Sequence, residues 1–238
     1  MPLHLRRQLI AILTICLFTN SSFAAERSDT DAKRDLHSKP LEVLEFLGVG
    51  PGWTVVDLFA GNGYYSEVLA GVVGASGKVY LHNNQSYLGF VQGLDERLQD
   101  NRLPNVERYV SEIEDINLKS NSVDLVMLVM AYHDAYFVND GWTVTADPLF
   151  RTIHRVLRSG GVLAVIDHQA VADSGSATVQ TLHRIGPDFA KQDIESRGFQ
   201  IEASSELLAN DGDDLSKPVF DPAVQGKTSK FLFKFVKP

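Results

Sequence analysis

The chain has 238 residues, 44% of them hydrophobic, which is enough to bury one sizeable core. Its 30 acidic and 22 basic residues give a formal net charge of −8 at pH 7. A surface of that sign repels phosphate backbones and anionic lipid headgroups. Composition and charge therefore disfavour nucleic acid and anionic membranes as partners.

Residues 1–24 have the order of a secretory signal peptide. Arg6 and Arg7 precede an apolar run from Leu9 to Phe18, and a polar patch ending in small residues follows. The run is shorter than the roughly 20 residues that cross a bilayer, so we expect cleavage after Ala24 and no remaining membrane span. Cleavage removes two basic residues and no acidic one, which takes the net charge from −8 to −10. It also removes the single cysteine, and the mature protein is predicted to be periplasmic or secreted.

The rest of the chain is predicted to be a short arm and one domain. Residues 25–39 are charged and end before Pro40, which indicates an arm, and residues 40–238 alternate apolar runs with amphipathic segments. Runs rich in β-branched residues predict buried strands, and apolar residues spaced by three and four predict helices. The predicted strands are 53–60, 77–83, 106–111, 122–132, 162–168, 199–205 and 230–238. The predicted helices are 41–49, 65–72, 87–100 (interrupted by two glycines), 147–161 and 187–199.

This alternation predicts an α/β fold, in which a doubly wound, mostly parallel sheet is covered by helices on both faces. Ligands of such sheets lie beyond the carboxyl ends of the strands, at the switch point beside the first strand. We therefore expect the residues that follow the first, second, fourth and fifth strands to form one rim. The functional site is predicted to lie on that rim.

The turn after the first strand, in "VVDLFAGNG", indicates the type of cofactor. Gly61 and Gly63 lack a Cβ, so this turn can approach a ligand closely. The nicotinamide fingerprint G-x-G-x-x-G is incomplete, because Ser66 stands at its third glycine. The carboxylate of Asp57 would repel a pyrophosphate but attract a cofactor that carries an ammonium and a sulfonium. Electrostatics therefore favour a cationic cofactor over a dinucleotide.

These residues resemble the class I S-adenosylmethionine-dependent methyltransferases over nearly all of the mature chain. "VVDLFAGNG" is similar to the first family motif, with Phe59 in place of its first glycine, and "RVLRSGGVLAVID" is similar to the motif before the fifth strand. The resemblance implies a Rossmann-like, seven-stranded sheet with an antiparallel C-terminal strand, S-adenosylmethionine as cofactor, and methyl transfer. "AYHDAY", "LHRIGP" and the tail also resemble a group of exported predicted methyltransferases. The cofactor-binding residues it implies are Asp57, Phe59, Gly61, Asn62, Gly63, Asn83, Glu112, Ile113 and Met130.

One of these positions departs from the family pattern. Where the family has an acid that binds the ribose hydroxyls, this chain has Asn83. An amide oxygen accepts a hydrogen bond as a neutral and weaker partner than a carboxylate. Asn83 is therefore expected either to bind the ribose weakly or to serve as a turn residue.

The candidate catalytic residues follow the fourth and fifth strands. Methyl transfer must align the acceptor and often removes its proton, and "MAYHDAYF" offers Tyr132, His133 and Asp134 for this work. We predict that His133 is the base, with a pKa near neutrality, and that Asp134 orients it or caps the loop. Asp167 and His168 end the next strand and are expected to face the same pocket.

The rim residues could also bind a metal ion or an anionic group. Two histidines and two carboxylates could hold a divalent metal, but their spacing is not a metal signature, so hydrogen-bonding residues are predicted and no metal. His183 and Arg184 could close over the site or recognise an anionic group, and capping of the surface is an equal alternative.

The predicted function is methyl transfer from S-adenosylmethionine to a small-molecule acceptor. The alternative is a catalytically silent module that binds S-adenosylmethionine as a sensor or scaffold, which the departures at Asn83 and Phe59 favour. The histidines of the rim weigh against it, because a binding module does not need them. Export of such an enzyme needs a route for a folded, loaded protein, and "RRQLI" at residues 6–10 resembles a twin-arginine signal.

Overall fold

The structure is a computed structural model, and it describes residues 27–238. The predicted signal peptide and its twin-arginine stretch lie outside these residues. The strands are β1 (Thr54–Leu58), β2 (Lys78–Asn83), β3 (Val106–Val110), β4 (Val123–Val129), β5 (Leu157–His168), β6 (Gln200–Ser205) and β7 (Lys230–Val236). The helices are α1 (Asp29–Ser38), α2 (Pro40–Leu47), α3 (Tyr64–Val73), α4 (Gln85–Leu88), α5 (Leu94–Leu98), α6 (Ala146–Val156), α7 (Val179–Leu182) and α8 (Pro187–Ser196).

The strands form one seven-stranded sheet in the order β3-β2-β1-β4-β5-β7-β6. β1 pairs in parallel with β2 and with β4. β3 pairs in parallel with β2, and β5 pairs in parallel with β4. β7 lies between β5 and β6 and is antiparallel to both. This arrangement confirms the Rossmann-like class with an antiparallel C-terminal strand. The order reverses at β1, so the carboxyl ends of β1 and β4 flank the switch point where such folds bind ligands.

Both faces of the central strands are buried, as their apolar runs predict, whereas the edge strands β3 and β6 are partly exposed. Val55 of β1 packs on one face with residues of α2 and α3, whereas Val56 packs on the other with residues of α6 and α8. Burial of one such side chain contributes roughly 1.5–2 kcal/mol to folding. The central strands are thus fixed from both sides, and their ends form a rigid support for the rim.

Helix α6 ends earlier than the sequence predicts. It stops at Val156, and the next residue, Leu157, already pairs with Val123 of β4. The glycine pair expected to stop the helix instead lies inside β5, where the backbone N–H of Gly160 donates to the carbonyl of Lys237. Pairing with the C-terminal segment, which is distant in sequence, overrides the local stop signal.

The predicted arm is largely helical, because residues 29–38 form α1. This helix has no continuous apolar face, so hydrophobic periodicity could not reveal it. It is held by polar contacts instead: Arg97 of α5 pairs with the buried Asp31 of α1 and with Glu67 of α3, and the Tyr64 hydroxyl donates to Asp35 at 2.5 Å. These contacts bring α1 against the turn that follows β1.

The other predicted elements agree with the structure. The helix expected over 87–100 is divided at its two glycines into α4 and α5, and Pro187 begins α8 at its first turn. Between residues 27 and 238, no helix combines the length and the apolar character needed to cross a bilayer.

Candidate active site

The rim, defined here as the carboxyl ends of β1, β2, β4 and β5 with the turns that follow them, begins with a glycine-rich turn at residues 59–63. Gly63 has a φ of 81°, and a Cβ there would lie 2.5 Å from Leu81 Cδ1, so only glycine fits. Gly61 has a φ of 58°, and a Cβ there would meet nothing within 4 Å. The turn is thus closely packed underneath and open above, where a ligand can approach.

Asp57, the acid before the turn, is buried and carries one close hydrogen bond. Only 2% of the residue is exposed, and its Oδ2 accepts from the Ser66 hydroxyl at 2.6 Å. Burial raises the pKa of Asp57 to about 6, although Ser66 and the nearby Arg34 oppose the shift. The site therefore holds a carboxyl whose negative charge is poorly compensated, which favours a cationic ligand.

A cavity of about 160 Å³ opens beside Asp57. Arg34 of α1 forms part of its wall, with its guanidinium 3.8 Å from the centre of the Tyr64 ring. The cavity thus presents one acidic and one basic side chain. Its other lining residues are Phe59, Ala60, Gly61, Asn62, Tyr65, Tyr87, Val129 and Met130. The sequence did not indicate Arg34 as a site residue, because nothing in the charged segment 25–39 showed that this segment folds back onto the rim.

Asn83 lies under the glycine-rich turn. Its Oδ1 accepts from the backbone N–H of Gly61 and its Nδ2 donates to the carbonyl of the same residue, both at 2.9 Å. Only 1% of Asn83 is exposed. Its carboxamide therefore acts as a clamp on the turn, and a carboxylate could not replace it because it cannot donate to the carbonyl.

Phe59 adopts a left-handed backbone with a φ of 56°, in the position where the family motif has glycine. Its ring is buried and packs against Tyr87, with ring centroids 5.2 Å apart, and against Trp142, with centroids 5.7 Å apart. These contacts offset the cost of a positive φ in a bulky residue. The turn is thereby tied to the loop that follows β4.

The remaining predicted cofactor residues are distributed around the rim. Met130 lines the cavity at the end of β4, with a φ of 53°, and its N–H donates to Ile166 at 2.7 Å. Glu112 lies at the β2 side, where it accepts from Asn84 Nδ2 and from the Gln85 N–H, both at 3.3 Å. Ile113 is buried and belongs to the core on the α6 face. The structure thus brings Met130 to the cavity and keeps Glu112 and Ile113 outside its lining.

His133, the predicted base, is clamped by Asp167 at the end of β5. The Asp167 carboxylate accepts from the His133 backbone N–H and bonds its Nδ1, both at 2.8 Å. The other ring nitrogen, Nε2, lies 3.3 Å from Oδ1 of Asp134. The sequence predicted that the pair His133 and Asp134 shares one pocket with Asp167 and His168. The structure shows that Asp167 is the residue that fixes the His133 ring.

The protonation of His133 differs from the expectation. Burial lowers its pKa, but the Asp167 and Asp134 carboxylates outweigh burial and raise the pKa to about 9. Burial also raises the pKa of Asp134 to about 6. A pKa of His133 near neutrality is therefore wrong for this structure, because sequence alone does not show that two carboxylates meet one imidazole.

Two other predicted residues have different surroundings. Tyr132 is fully buried, and its hydroxyl donates to Asp193 of α8 at 2.9 Å, away from the His133 imidazole. His168 bonds the Thr228 hydroxyl through Nδ1 at 2.8 Å, and burial lowers its pKa to about 3. His168 is therefore a neutral neighbour of His133, with ring centroids 5.9 Å apart.

The "LHRIG" segment divides into a site residue and a core residue. His183 lies beside His133, with ring centroids 5.5 Å apart. Arg184 is fully buried and forms a bidentate pair with Asp213, at 2.7 and 2.9 Å. The prediction that Arg184 recognises an anionic group is therefore wrong, whereas His183 lies beside His133 at the rim.

Comparison with known proteins agrees with this geometry. A family model described as a methyltransferase domain matches residues 50–208. The chain belongs to this methyltransferase family. It is 28% identical over 129 residues to the ubiquinone/menaquinone biosynthesis C-methyltransferase UbiE of Hydrogenovibrio crunogenus, covering 54% of this chain and 47% of that protein. It is 29% identical over 125 residues to UbiE of Ectopseudomonas mendocina, covering 52% of this chain and 45% of that protein. The chain thus spans less than half the length of either relative.

Solved structures share the fold of this methyltransferase. A SAM-dependent methyltransferase from Aquifex aeolicus has a TM-score of 0.61 and 21% identity, over 88% of this chain and all of that one. An S-adenosylmethionine-dependent methyltransferase from Mesorhizobium loti has a TM-score of 0.55 and 16% identity, over 83% and 96% of the two chains. The cofactor of this enzyme class is S-adenosylmethionine.

The cavity of the methyltransferase fits that cofactor in its chemistry. Asp57 offers a poorly compensated buried carboxyl to a cation, and Arg34 offers a cation to a carboxylate. The amino acid part of S-adenosylmethionine carries both an ammonium and a carboxylate. Gly61 leaves open the space that a side chain would fill. The charges at this end of the rim therefore suit the amino acid part of the cofactor, and Gly61 leaves room for its approach.

Proposed function

We propose that this methyltransferase acts on a small-molecule acceptor that binds over the carboxyl ends of β4 and β5, next to the cofactor cavity. The observation that carries the proposal is a single side chain, Tyr87, that joins the two places. It lines the cavity, and its hydroxyl donates to Oδ2 of Asp134 at 3.3 Å. Asp134 in turn lies against the imidazole of His133. The proton-transfer groups thus adjoin the methyl donor's site.

Asp57, Arg34 and the turn at residues 59–63 are proposed to hold the cofactor. Asp57 binds its ammonium, Arg34 its carboxylate, and Met130 closes the wall beside β4. When bound, S-adenosylmethionine supplies an electrophilic methyl group on a sulfonium. In this assignment Asn83 acts through the turn that it clamps, and Glu112 with Asn84 forms the adjoining edge at β2.

His133 is proposed to accept the proton of the acceptor after losing its own proton, because a pKa of about 9 leaves only a minor, deprotonated fraction of the imidazole as the base at pH 7. Asp167 fixes the ring through Nδ1, so Nε2 is the atom directed to the rim, where Asp134 accompanies it. A positioned base of this kind contributes about 10²–10⁴-fold to a rate. His168 holds the other side of the pocket through its bond to Thr228.

The experiment is methyl transfer from isotopically labelled donor. The purified protein is incubated with methyl-¹³C S-adenosylmethionine and, in separate reactions, with the fraction of a cell extract below 1 kDa and with the macromolecular fraction, and products are followed by NMR. We expect label in a small molecule, and the carbon shift separates oxygen, nitrogen and carbon acceptors. Loss of labelling in His133→Ala, with unchanged donor affinity, supports the assigned role. Label found only in protein or RNA contradicts the proposal.

A silent binding module is the second candidate, and the burial of Phe59 and Asn83 favours it. Both residues depart from the family motif, and both are engaged with the protein itself. The same labelling experiment separates the two candidates. Donor that binds one-to-one but leaves no label in any fraction would establish the silent module.

We also propose that the mature enzyme is exported, on the strength of the signal-like order of residues 1–24. A twin-arginine route carries folded proteins, so the cofactor could be bound before export. The test replaces Arg6 and Arg7 with lysines and measures the protein in the periplasmic fraction. Loss of export supports this route, and unimpaired export contradicts it.

A further inference from the structure

Three side chains meet on the rim beyond β4, and we name them the rim cluster: His133, Asp134 and His183. One nitrogen or carboxylate oxygen from each lies within 4.8 Å of the others. His133 Nε2 and Asp134 Oδ1 lie 3.3 Å apart. His133 is buried, and the other two are partly exposed, so solvent can reach the space between them. Methyl transfer does not explain why His183 joins this group.

The cluster is held in place by groups outside it. Asp167 bonds Nδ1 of His133, which leaves Nε2 as the free ring nitrogen. Tyr87 donates to Oδ2 of Asp134, so Oδ1 remains the atom that faces His133. The indole N–H of Trp142 donates to the Asp134 carbonyl at 2.7 Å. A carboxylate behind an imidazole is the arrangement that orients histidine ligands in metal sites.

We propose that the rim cluster binds a divalent transition-metal ion such as Zn²⁺ through His133 Nε2, an Asp134 oxygen and a His183 ring nitrogen. Two imidazoles and one carboxylate suit ions of this class. Ligand atoms about 2.1 Å from a tetrahedral ion lie about 3.4 Å apart, close to the 3.3 Å between His133 and Asp134. His183 directly follows the short helix α7, and its ligand atom lies within 4.8 Å of those of His133 and Asp134.

The charges around the cluster favour a cation. The Asp134 and Asp167 carboxylates approach the same imidazole from two sides. A divalent ion at Nε2 would compensate both and would exclude a proton from that nitrogen. Three protein ligands leave at least one coordination position open, which is the pattern of catalytic rather than structural zinc sites.

For catalysis, a hydroxyl of the acceptor would take the open position, and the ion would lower its pKa so that its proton is lost to solvent. The oxygen would then form a bond to the methyl carbon as the sulfonium–carbon bond breaks and the neutral thioether leaves. His133, whose Nε2 would hold the ion, would not act as the base. This consequence rests on the proposed function, whereas the binding of the ion does not. The two are therefore tested by separate measurements.

The experiment is titration of the chelator-treated, purified protein with Zn²⁺ by calorimetry and with Co²⁺ by visible absorption. We expect one ion per chain and the absorption bands of bound Co²⁺. His183→Asn and Asp134→Asn should each weaken Zn²⁺ binding at least 10-fold. Asparagine tolerates the left-handed backbone of His183, which has a φ of 51°. The matched control is His37→Ala, which removes an exposed histidine of α1 and should bind like the parent.

Asp167→Asn gives a second test, since loss of an orienting partner typically costs 10–100-fold in metal affinity. Absence of a one-to-one site in the parent, or equal affinity in the parent and His183→Asn, would overturn the inference. Titration of the same variants with S-adenosylmethionine shows whether they are folded and keeps the two proposals apart. Donor binding without metal binding defeats only the metal site, and metal binding without donor binding defeats only the proposed function.

Discussion

The rim has a cofactor end, around Asp57 and the turn at residues 59–63, and an acceptor end, around His133 and Asp167. The two ends hold their polar side chains in different ways. At the cofactor end, Asp57 bonds Ser66 and Asn83 bonds Gly61, partners 9 and 22 residues apart in sequence. At the acceptor end, His133 is fixed by Asp167, 34 residues away and on another strand, and His183 joins from α7. At the cofactor end these bonds thus lock one turn, whereas at the acceptor end the contacts join the segment after β4, the end of β5 and the end of α7.

This difference implies different consequences of substitution. Where side chains lock the backbone of one turn, a change alters stability and ligand affinity together. Where an imidazole is aimed by a distant carboxylate, a change alters reactivity while the cofactor cavity remains intact. Substitutions at the two ends should therefore separate these consequences.

Asp167→Asn is expected to have the largest effect. The amide cannot accept from both the His133 backbone and its Nδ1–H as the carboxylate does, so the imidazole loses its orientation. Turnover with any accepted substrate should fall by about 10²–10⁴-fold, with an unchanged dissociation constant for S-adenosylmethionine. Labelled-methyl kinetics and calorimetry measure the two values. A parallel loss of donor affinity would show that the two ends are not separable.

Asp57→Asn should stabilise the protein without ligand at neutral pH. The folded-state pKa of about 6 lies above the ordinary value of about 3.9, so the folded state binds more protons between pH 4 and 6. The parent's free energy of unfolding therefore falls as pH rises through that window. At pH 7 the variant should be more stable by about 2 kcal/mol, and at pH 4 the difference should vanish.

Urea denaturation at the two pH values measures this difference. Asp211→Asn, the same change of charge at an exposed site, is the control and should show no such pH dependence. Equal stability of parent and Asp57→Asn at pH 7 would mean that the carboxylate is already compensated in the free protein, and the argument for a cationic ligand would lose its basis.

Asn83→Asp tests the clamp on the glycine-rich turn. The acid restores the residue type of the family motif but cannot donate to the Gly61 carbonyl, which now receives a bond at 2.9 Å. We expect a loss of about 1–3 kcal/mol in stability, the cost of an unpaired buried group. Thermal unfolding measures it. A neutral or stabilising effect, accompanied by tighter donor binding, would instead assign Asn83 to the ribose.

Trp142→Phe should have the smallest effect. It keeps the aromatic contacts with Phe59 and Tyr87 but removes the hydrogen bond to the Asp134 carbonyl. We expect a loss of about 1 kcal/mol in stability and little change in donor affinity. A large loss of donor affinity, measured by calorimetry, would place Trp142 in the cofactor end instead.

The sequence predicted the features that depend on local pattern. The sequence predicts all seven strands, the central ones from their apolar runs, and the switch-point rule predicts the position of the rim. The contiguous motif around Asp57 and Gly61 indicated the cofactor class. Periodicity also placed α3, and the proline at its first turn placed α8.

What the sequence could not predict depends on partners distant along the chain. Helix α1 and Arg34 reach the cavity through an ion pair with α5 and a hydrogen bond from Tyr64 of α3, and such polar contacts leave no apolar period in the sequence. The early end of α6 follows from strand pairing with the C-terminal segment. The raised pKa of His133 needs Asp134 and Asp167 on two sides of one ring, a meeting that only the tertiary fold brings about.

Calorimetric titration of the purified protein with S-adenosylmethionine and, separately, with NADH shows directly which cofactor the cavity beside Asp57 binds. We expect saturable one-to-one binding of S-adenosylmethionine alone. Asp57→Asn removes the charged partner of the cofactor ammonium, an interaction that contributes about 1.5–3 kcal/mol. The dissociation constant for S-adenosylmethionine should therefore rise about 10–100-fold in this variant. No saturable binding at millimolar S-adenosylmethionine, or saturable binding of NADH, would contradict the account.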